Sequence, residues 1–395
     1  MLPTYLPHFL DEENVAEEQP IFFGGINVYL QHKFSLFRHT PEWLDKALDC
    51  KWLLRKASER SGMTSSKDLG EITISTFKAE NGPLAKEVKK MVDWFKQHEK
   101  PDVVLLSTIL LAGLGRVLKQ ELEVPVYGFL QGEDSFLDSL LPEYQNVAMG
   151  LLKSDASTLD GFISPSKYFG EQMSGKLNLP KDRLHHLPNG ITLDGYSPSK
   201  EPPKKLSLGF LARQCPIKGL DLLVDAYLEI MNRGNFGKLE LHVAGGMTED
   251  DEPYVEEQKK KLRSAGFIQK AFFHPNISRD SKIAFLKKLT LFSVPARFPE
   301  AFGLYVLEAL AAGVPVVLPR EGAFPEIVEA TSAGELYEPN EPKALADALE
   351  KTLSNPKEAH AMGLRGHEKV ISLFSNEKLA KQLVEDILAN HGSKD

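Results

Sequence analysis

The sequence predicts an α/β protein built from two doubly wound, Rossmann-like domains that face each other across a cleft. Short apolar runs typical of buried strands alternate with longer amphipathic stretches, and the alternation restarts after one segment rich in Pro and Lys. Alternating strand and helix patterns indicate parallel sheets with helices on both faces. The chain has 395 residues, more than one core usually accommodates. Two domains are therefore expected.

The first domain is predicted to span residues 1–198. Its predicted strands are 101–107, 124–130, 161–166 and 184–190. No strand pattern precedes "FFGGINVYLQHKFSLF", in which a glycine turn leads into a helix. We therefore expect that the first strand of this domain is missing and that the true start lies upstream. A variant domain with one strand fewer is the alternative.

The second domain is predicted at 206–372, after a linker at 199–205 within "SPSKEPPKK". Its predicted strands are 205–211, 238–245, 270–275, 290–296 and 314–320. Helical patterns separate them, and further helices are predicted from about 342 to 390. The C-terminal helical segment, 373–395, is expected to pack back toward the first domain.

Composition limits the class of protein. The formal net charge of −8 argues against a general nucleic-acid binder. Two cysteines, Cys50 and Cys215, are too few for a disulfide framework or a zinc site. The N-terminus lacks a signal-peptide pattern, and no apolar run is long enough to span a bilayer. A cytoplasmic protein is expected, and the sequence does not indicate its oligomeric state.

An amphipathic segment at 41–60 carries Trp43 and Trp52. Such a segment suits the surface of a membrane, which predicts peripheral contact with the inner face of the bilayer. Packing of the same face against its own domain is the alternative.

Two acids stand in the otherwise apolar stretch "FPEAFGLYVLEALAAGVPVV". Glu300 is predicted in a loop, and Glu308 about one turn into a helix that begins near Leu304. Eight helical residues would separate the two by about 12 Å. The backbone amides of Phe302, Gly303 and Leu304 would lie between them at a helix N-terminus, where phosphate binds well. A solvated loop acid and an ordinary helix-face acid are the alternative.

Two cations, Arg213 and Lys218, lie in the loop that follows the strand at 205–211. At the carboxyl end of a strand they could neutralise a diphosphate, with about 1.5–3 kcal/mol from each charge-assisted hydrogen bond. Ordinary exposed surface charge is the alternative. The acidic run "TEDDE" (248–252) is interpreted as solvated surface.

These motifs occur in a fixed order along the chain. They are "LPNGITLDGYSP" (187–198), Arg213-x4-Lys218, "HVAGG" (242–246), Glu300-x7-Glu308, "EALAAGVPVV" and "GAFPEIV". The ordered set resembles the retaining GT-B glycosyltransferases of the "glycosyl transferases group 1" family. The resemblance is dense from about residue 160 to the end and looser before it.

The resemblance implies transfer of a sugar from a nucleotide-sugar to a glycan or lipid acceptor. Arg213 and Lys218 would hold the donor diphosphate with Gly25 and the amides of 302–304, Glu308 the ribose, and Glu300 the transferred sugar. Asn276 and Ile277 would lie beside the base. Catalysis would rest on Glu300, Arg213 and Lys218, with no protein nucleophile, no metal and no cofactor, because the nucleotide-sugar is a co-substrate.

In the first domain the resemblance places Gly24, Asn27, Glu80 and Gln131 on the acceptor side. Relatives often carry a histidine where this chain has Gln131, which cannot take up a proton. Glu133 or Asp134 could serve as the base instead, and a helix-capping acidic loop is the alternative.

The donor sugar and its UDP, GDP or ADP carrier stay open. Two other functions are compatible with this architecture. One is a sugar-nucleotide 2-epimerase, and the other is a catalytically impaired protein that only binds nucleotide-sugars.

Overall fold

A computed structural model describes residues 22–23, 26–40 and 66–389. The chain divides into two compact units, the second of which is Leu187–Ile387, and the first holds the described residues before it together with residues 388–389. Described helices and strands are numbered below in chain order. No helix in these ranges is both long and apolar enough to cross a bilayer.

The first unit contains one parallel sheet. Its elements are α1 (Ile26–Lys33), α2 (Ser66–Phe77), α3 (Ala85–Gln97), β1 (Val104–Leu106), α4 (Ala112–Leu122), β2 (Val126–Phe129), α5 (Glu133–Ser139), α6 (Pro142–Ala156), β3 (Gly161–Ser164), α7 (Lys167–Leu177) and β4 (Leu184–His186). The strands are ordered β1-β2-β3-β4 and all pairs are parallel. Every predicted strand of this unit is present.

Some predictions for the first unit lie outside the described residues. These are the N-terminal 20 residues, Gly24, Gly25, Cys50 and the segment 41–60 with Trp43 and Trp52. Helix α1 begins at Ile26, directly after the glycine pair, as predicted. Within the described ranges no strand precedes Val104.

The second unit contains a six-stranded parallel sheet. Its elements are β5 (Ser207–Leu211), α8 (Leu220–Arg233), β6 (Glu240–Gly245), α9 (Glu252–Ser264), β7 (Ala271–Pro275), α10 (Arg279–Leu286), β8 (Leu291–Phe292), α11 (Leu304–Ala311), β9 (Val316–Pro319), α12 (Phe324–Thr331), β10 (Gly334–Tyr337), α13 (Pro342–Leu353), α14 (Pro356–Phe374) and α15 (Asn376–Gln382). All strand pairs are parallel.

The strand order is β10-β9-β8-β5-β6-β7, so the side of the sheet on which successive strands are added changes between β5 and β8. The chain builds β5, β6 and β7 outward on one side, then returns to build β8, β9 and β10 on the other. At such a switch point the loops after the two central strands diverge and leave a crevice, where ligands bind in this fold class. These loops are the ones that carry Arg213, Lys218 and Glu300.

Strand β10 was not predicted. It is the four-residue edge strand "GELY", and three of its four residues are only half-buried. A short edge strand with this composition lacks the apolar run that marked the central strands.

The second unit begins at Leu187, earlier than the predicted boundary after residue 198. Ile191 lies in its core and donates its backbone N–H to the Phe374 carbonyl at 2.9 Å. A side chain at Gly190 would come within 2.3 Å of Asn376 Oδ1, so the chain passes closely here. The predicted linker at 199–205 has no helix or strand.

The backbone conformation at position 245, at the end of β6, requires a glycine. Its φ is +127°, and a Cβ there would lie 1.9 Å from the Ala212 carbonyl oxygen at the exit of β5. A Cβ built on the next residue, Gly246, would have no atom within 4 Å. The first glycine of "HVAGG" therefore allows the loops after β5 and β6 to meet.

We expect Gly245→Ala to lower the unfolding midpoint by about 4 °C or more. A left-handed backbone and a clash with main-chain atoms together cost above about 2 kcal/mol, and each kcal/mol corresponds to about 2–4 °C at this size. Thermal unfolding followed by circular dichroism measures the change. Gly246→Ala is the matched control and should shift the midpoint little. Equal midpoints for the two variants would show that Gly245 is not required.

Candidate functional site

The loops that leave β5 and β8 are in direct contact. Residues Pro216–Lys218 form a 3-10 turn, and Gly219, with φ +72°, leads into α8. A Cβ at Gly219 would lie 1.9 Å from the Pro295 carbonyl oxygen. The backbone N–H of Arg297 donates to the Ile217 carbonyl at 2.8 Å. These contacts fix the two loops at the switch point against each other.

Lys218 and Glu300 form an ion pair across these loops, with side chains 25% and 15% exposed. The Glu300 backbone is held from the loop after β9, because its carbonyl accepts the Ala323 N–H at 3.0 Å. Gly322, with φ +59°, permits this approach, since its Cβ would lie 2.6 Å from Glu300 N. Glu300 lies in the loop before α11, as predicted.

Tyr305 lies beside this ion pair. Lys218 Nζ is 5.7 Å from the centre of the Tyr305 ring. Burial raises the pKa of Tyr305 well above its ordinary value, and the charge of Glu300 adds to the rise. The phenol therefore stays neutral next to the carboxylate.

Helix α11 begins at Leu304, as predicted, behind Gly303 with φ +99°. No side chain among the described residues caps it. A Cβ at Gly303 would lie 2.9 Å from Phe324 Cε1, so glycine suits this position both in conformation and in space. Phe302 is buried and Leu304 is 43% exposed. What the first turn offers a ligand is thus backbone N–H groups.

Glu308 lies one turn into α11, as predicted, and is 14% exposed. Its Oε1 is 2.8 Å from Lys282 Nζ and 3.4 Å from the Tyr196 hydroxyl, which donates to it. Sequence reasoning missed both partners. Tyr196 is separated from Glu308 by 112 residues, and no local pattern relates them.

Arg213 is held by a carboxylate. Its Nε and Nη2 donate to Asp251 Oδ2 and Oδ1 at 3.1 and 3.2 Å, while the Arg213 side chain remains 57% exposed. Asp251 is 5% exposed, so the interpretation of "TEDDE" as solvated surface is wrong for this residue. Its carboxylate also accepts from Thr248 in a capping box. The T-x-x-D spacing before a helix was the signal that could have revealed it.

The pKa of Asp251 reflects these contacts. Burial alone would raise it, but hydrogen bonds from Thr248 and Arg213 outweigh burial and lower it below the ordinary value. The Asp251 carboxylate is therefore charged near neutral pH and neutralises much of the Arg213 charge.

Asn276 connects two loops at the same edge of the sheet. With φ +53°, it accepts the Met247 N–H at 2.9 Å through Oδ1 and donates to the Met247 carbonyl at 3.0 Å through Nδ2. Ile277 packs against the core. The structure thus gives Asn276 a bracing contact, and its position beside a base stays a prediction.

In the first unit, Glu133 and Asp134 are buried and form the start of α5 rather than part of a loop, and a role as base stays a prediction. Glu133 accepts from the Thr108 hydroxyl at 2.6 Å and from the Gln131 N–H at 2.7 Å. Asp134 accepts from Gln172 Nε2 at 3.1 Å. Burial raises the pKa of both carboxyl groups.

Glu80 lies in a 3-10 turn and forms a two-bond salt bridge with Arg116, at 2.7 and 3.0 Å. Arg116 also donates to Asp155. Burial would raise the pKa of Glu80, yet the Arg116 hydrogen bonds lower it. An acceptor-side role for Glu80 stays a prediction. Asn27 belongs to α1, but its side chain is outside the described part of the chain.

Within the described ranges, no group of three or more His, Cys, Asp or Glu side chains is arranged to hold a metal ion. The charged groups at the switch point are instead the ion pairs Lys218–Glu300, Arg213–Asp251 and Lys282–Glu308.

We expect Asp251→Asn to lower the unfolding midpoint by about 2–4 °C at pH 7, because a neutral amide loses the two-bond ion pair with Arg213, worth about 1 kcal/mol for a partly exposed pair. The folded-state pKa of Asp251 is depressed, so its contribution is present above the unfolded value, about 3.9, and is lost as pH falls through the folded value. The gap to wild type should therefore close below about pH 4.

Midpoints measured from pH 7 to pH 3 test this, with the exposed neighbour Asp250→Asn as the matched control. A gap that is absent at pH 7, or that persists unchanged at the acid end, would contradict the role given to the Asp251 carboxylate.

Residues 197–385, nearly all of the second unit, match the family described as "Glycosyl transferases group 1". A GDP-mannose-dependent alpha-(1-6)-phosphatidylinositol monomannoside mannosyltransferase of Mycobacterium tuberculosis is 29% identical over 301 residues, covering 72% of each chain. The Rhizobium meliloti lipopolysaccharide core biosynthesis mannosyltransferase LpsB is 31% identical over 46% of this chain and 51% of its own.

Among solved structures, Anabaena HepE in complex with UDP superposes with a TM-score of 0.67 at 18% identity, covering 79% of this chain and 84% of that one. This likeness concerns the fold alone. Of the functions that the sequence left open, the comparisons support glycosyl transfer. Residues 197–385 match the glycosyl transferases group 1 family, and the chain is a glycosyltransferase with the GT-B fold.

Proposed function

We propose that this protein transfers mannose from GDP-mannose, with retention of configuration, to a lipid-linked glycan. The observation that carries the proposal is the set of groups at the switch point of the second sheet. Arg213 and Lys218 lie there with Glu300, the N-terminus of α11 and Glu308. Cations and amides suit a diphosphate, and carboxylates suit the hydroxyl groups of two sugars.

The relatives support the choice of donor. One is named as GDP-mannose-dependent, and the other relative reported above is also named a mannosyltransferase. The human Alpha-1,3/1,6-mannosyltransferase ALG2 is 28% identical over 54% of this chain and 54% of its own. Natural GDP-mannose carries an α-linked mannose, so an α product corresponds to retention.

When the donor binds, Lys218 and Arg213 would exchange their carboxylate partners for its diphosphate. Lys218 is bonded to Glu300 and Arg213 to Asp251 in the structure. A diphosphate brings two negative charges to these cations, while Glu300 is released toward the hydroxyl groups of the transferred sugar. The exposed N–H groups at the start of α11 add a favourable dipole.

Catalysis would then be electrostatic and positional. As the glycosidic bond breaks, charge develops on the leaving phosphate, where Arg213 and Lys218 stabilise it. The acceptor hydroxyl attacks from the same face, and the leaving phosphate oxygen accepts its proton. The buried Glu133 and Asp134 are not needed for this step, and Gln131 cannot perform it.

The acceptor is proposed to lie at a membrane. The relative named for phosphatidylinositol monomannoside and the one named for the lipopolysaccharide core both have names that refer to lipid-containing glycans. We therefore place this protein in the cytoplasm, in peripheral contact with the inner face of the membrane.

A thermal-shift panel tests the donor. GDP-mannose and GDP should raise the unfolding midpoint more than UDP-glucose or ADP-glucose, because the ligand that binds more tightly stabilises the folded protein more. A ligand at 100 times its Kd contributes about 2.7 kcal/mol to the free energy of unfolding. Glu308→Ala should weaken this shift, while Glu329→Ala, an exposed acid on α12, should not.

A larger shift with the UDP- or ADP-sugar would contradict the choice of GDP-mannose. No shift with any nucleotide would overturn the donor site itself.

Transfer should not require a divalent metal, because Arg213 and Lys218 neutralise the leaving group. With labelled GDP-mannose and a bacterial lipid extract, the rate in excess EDTA should stay within about twofold of the untreated rate, whereas loss of a catalytic metal costs several kcal/mol. Restoration of a lost rate by added Mg²⁺ or Mn²⁺ would refute this. Lys218→Ala should remove activity under both conditions.

A further inference from the structure

Two elements converge on one oxygen of Glu308. Lys282, on α10, places Nζ 2.8 Å from Oε1, and Tyr196, in the turn before β5, donates its hydroxyl to the same atom at 3.4 Å. The carboxylate and the ammonium group are only 14% and 18% exposed. Neither Lys282 nor Tyr196 has a role in the donor site described so far.

The turn and the helix form one frame. Arg279 Nη2, on α10, donates to the Asp194 carbonyl at 2.8 Å. A Cβ at Gly195, which has φ +83°, would lie 3.1 Å from Ile283 Cδ1, so the turn rests directly on α10. The Tyr196 N–H closes the turn onto the Leu193 carbonyl at 3.0 Å. Lys282 and Tyr196 are therefore held in a fixed relation to each other.

Lys282 and Tyr196 contact only one of the two oxygen atoms of the Glu308 carboxylate. Both contacts are to Oε1, and among the described residues Glu308 Oε2 has no partner. A largely buried carboxylate without a cation is costly, so the ion pair with Lys282 stabilises the Glu308 side chain in this position. Anchoring one oxygen also fixes the side-chain rotamer, so a ligand does not have to restrict it on binding. The second oxygen is left to accept a hydrogen bond from a ligand hydroxyl.

On the basis of the proposed function, we infer that Lys282 and Tyr196 are positioning residues that aim Glu308 Oε2 at a ribose hydroxyl of the donor. The three side chains together make binding of the nucleotide depend on its ribose hydroxyl groups. This gives the "GYSP" segment a part in the donor site, although Tyr196 and Glu308 are 112 residues apart in the sequence.

Isothermal titration with GDP, 2′-deoxy-GDP and 3′-deoxy-GDP tests the inference, with UDP and its deoxy forms run in parallel. Wild type should bind the ribonucleotide about tenfold more tightly than at least one deoxy form, as expected for a hydrogen bond to a charged group. Lys282→Met should weaken GDP about tenfold and bind that deoxy form as wild type does. Tyr196→Phe should weaken GDP about threefold.

Two further variants separate positioning from folding. Lys282→Arg should restore most of the preference for the ribonucleotide, and Glu308→Gln combined with Lys282→Met should be no weaker than Glu308→Gln alone. Lys288→Met, an exposed lysine just beyond α10, is the matched control and should bind like wild type. The unfolding midpoint of each variant, measured without ligand, shows whether it folds. If Lys282→Met does not fold, the inference is tested with Tyr196→Phe, which removes only one oxygen atom.

Three outcomes would overturn the inference. They are equal binding of GDP and both deoxy forms by wild type, equal weakening of all three ligands by Lys282→Met, and wild-type affinity for GDP in both Lys282→Met and Tyr196→Phe. Each of these leaves the donor site standing. Failure of wild type to bind either GDP or UDP overturns the proposed function, and this inference with it.

Discussion

The structure of the second unit depends on the reversal of strand order between β5 and β8. Two neighbouring parallel strands send their loops in opposite directions, and both loops must still meet at one edge. Gly219 against Pro295 allows this, because the glycine approaches a carbonyl oxygen where no Cβ could fit. Without this close approach the cations after β5 and the acid after β8 would not lie side by side. Gly245 against Ala212 likewise allows the loops after β5 and β6 to meet.

The site formed there is electrically balanced. Each cation has a carboxylate partner, and the partners come from other elements: Asp251 precedes α9, Glu300 precedes α11, and Lys282 on α10 faces Glu308. The pairs do two things at once. They offset the desolvation cost of charged groups in a partly buried crevice, and they fix side chains that would otherwise sample many rotamers.

Sequence reasoning predicted the central strands, because each is a short apolar run between helical patterns. It also placed Glu300 in a loop and Glu308 in a helix, since Gly303 marks the start of α11. It could not give the strand order, which depends on which surfaces pack together. Lys282 and Tyr196 were out of reach for the same reason, and β10 was missed because an edge strand needs no apolar run. Asp251 had a local signal, its spacing from Thr248, which was misinterpreted.

The pairing of Arg213 with Asp251 and of Lys218 with Glu300 bears on how ionic strength acts on this protein. An empty basic pocket gathers a cloud of mobile anions, and a phosphate ligand gains free energy by displacing them. Here tethered carboxylates hold the places that those anions would occupy. In the proposed donor site, the diphosphate would replace these carboxylates with little change in the surrounding ions, so the affinity for the donor would vary only weakly with salt. Free phosphate, which offers nothing to Glu300 or Glu308, gains little from entering.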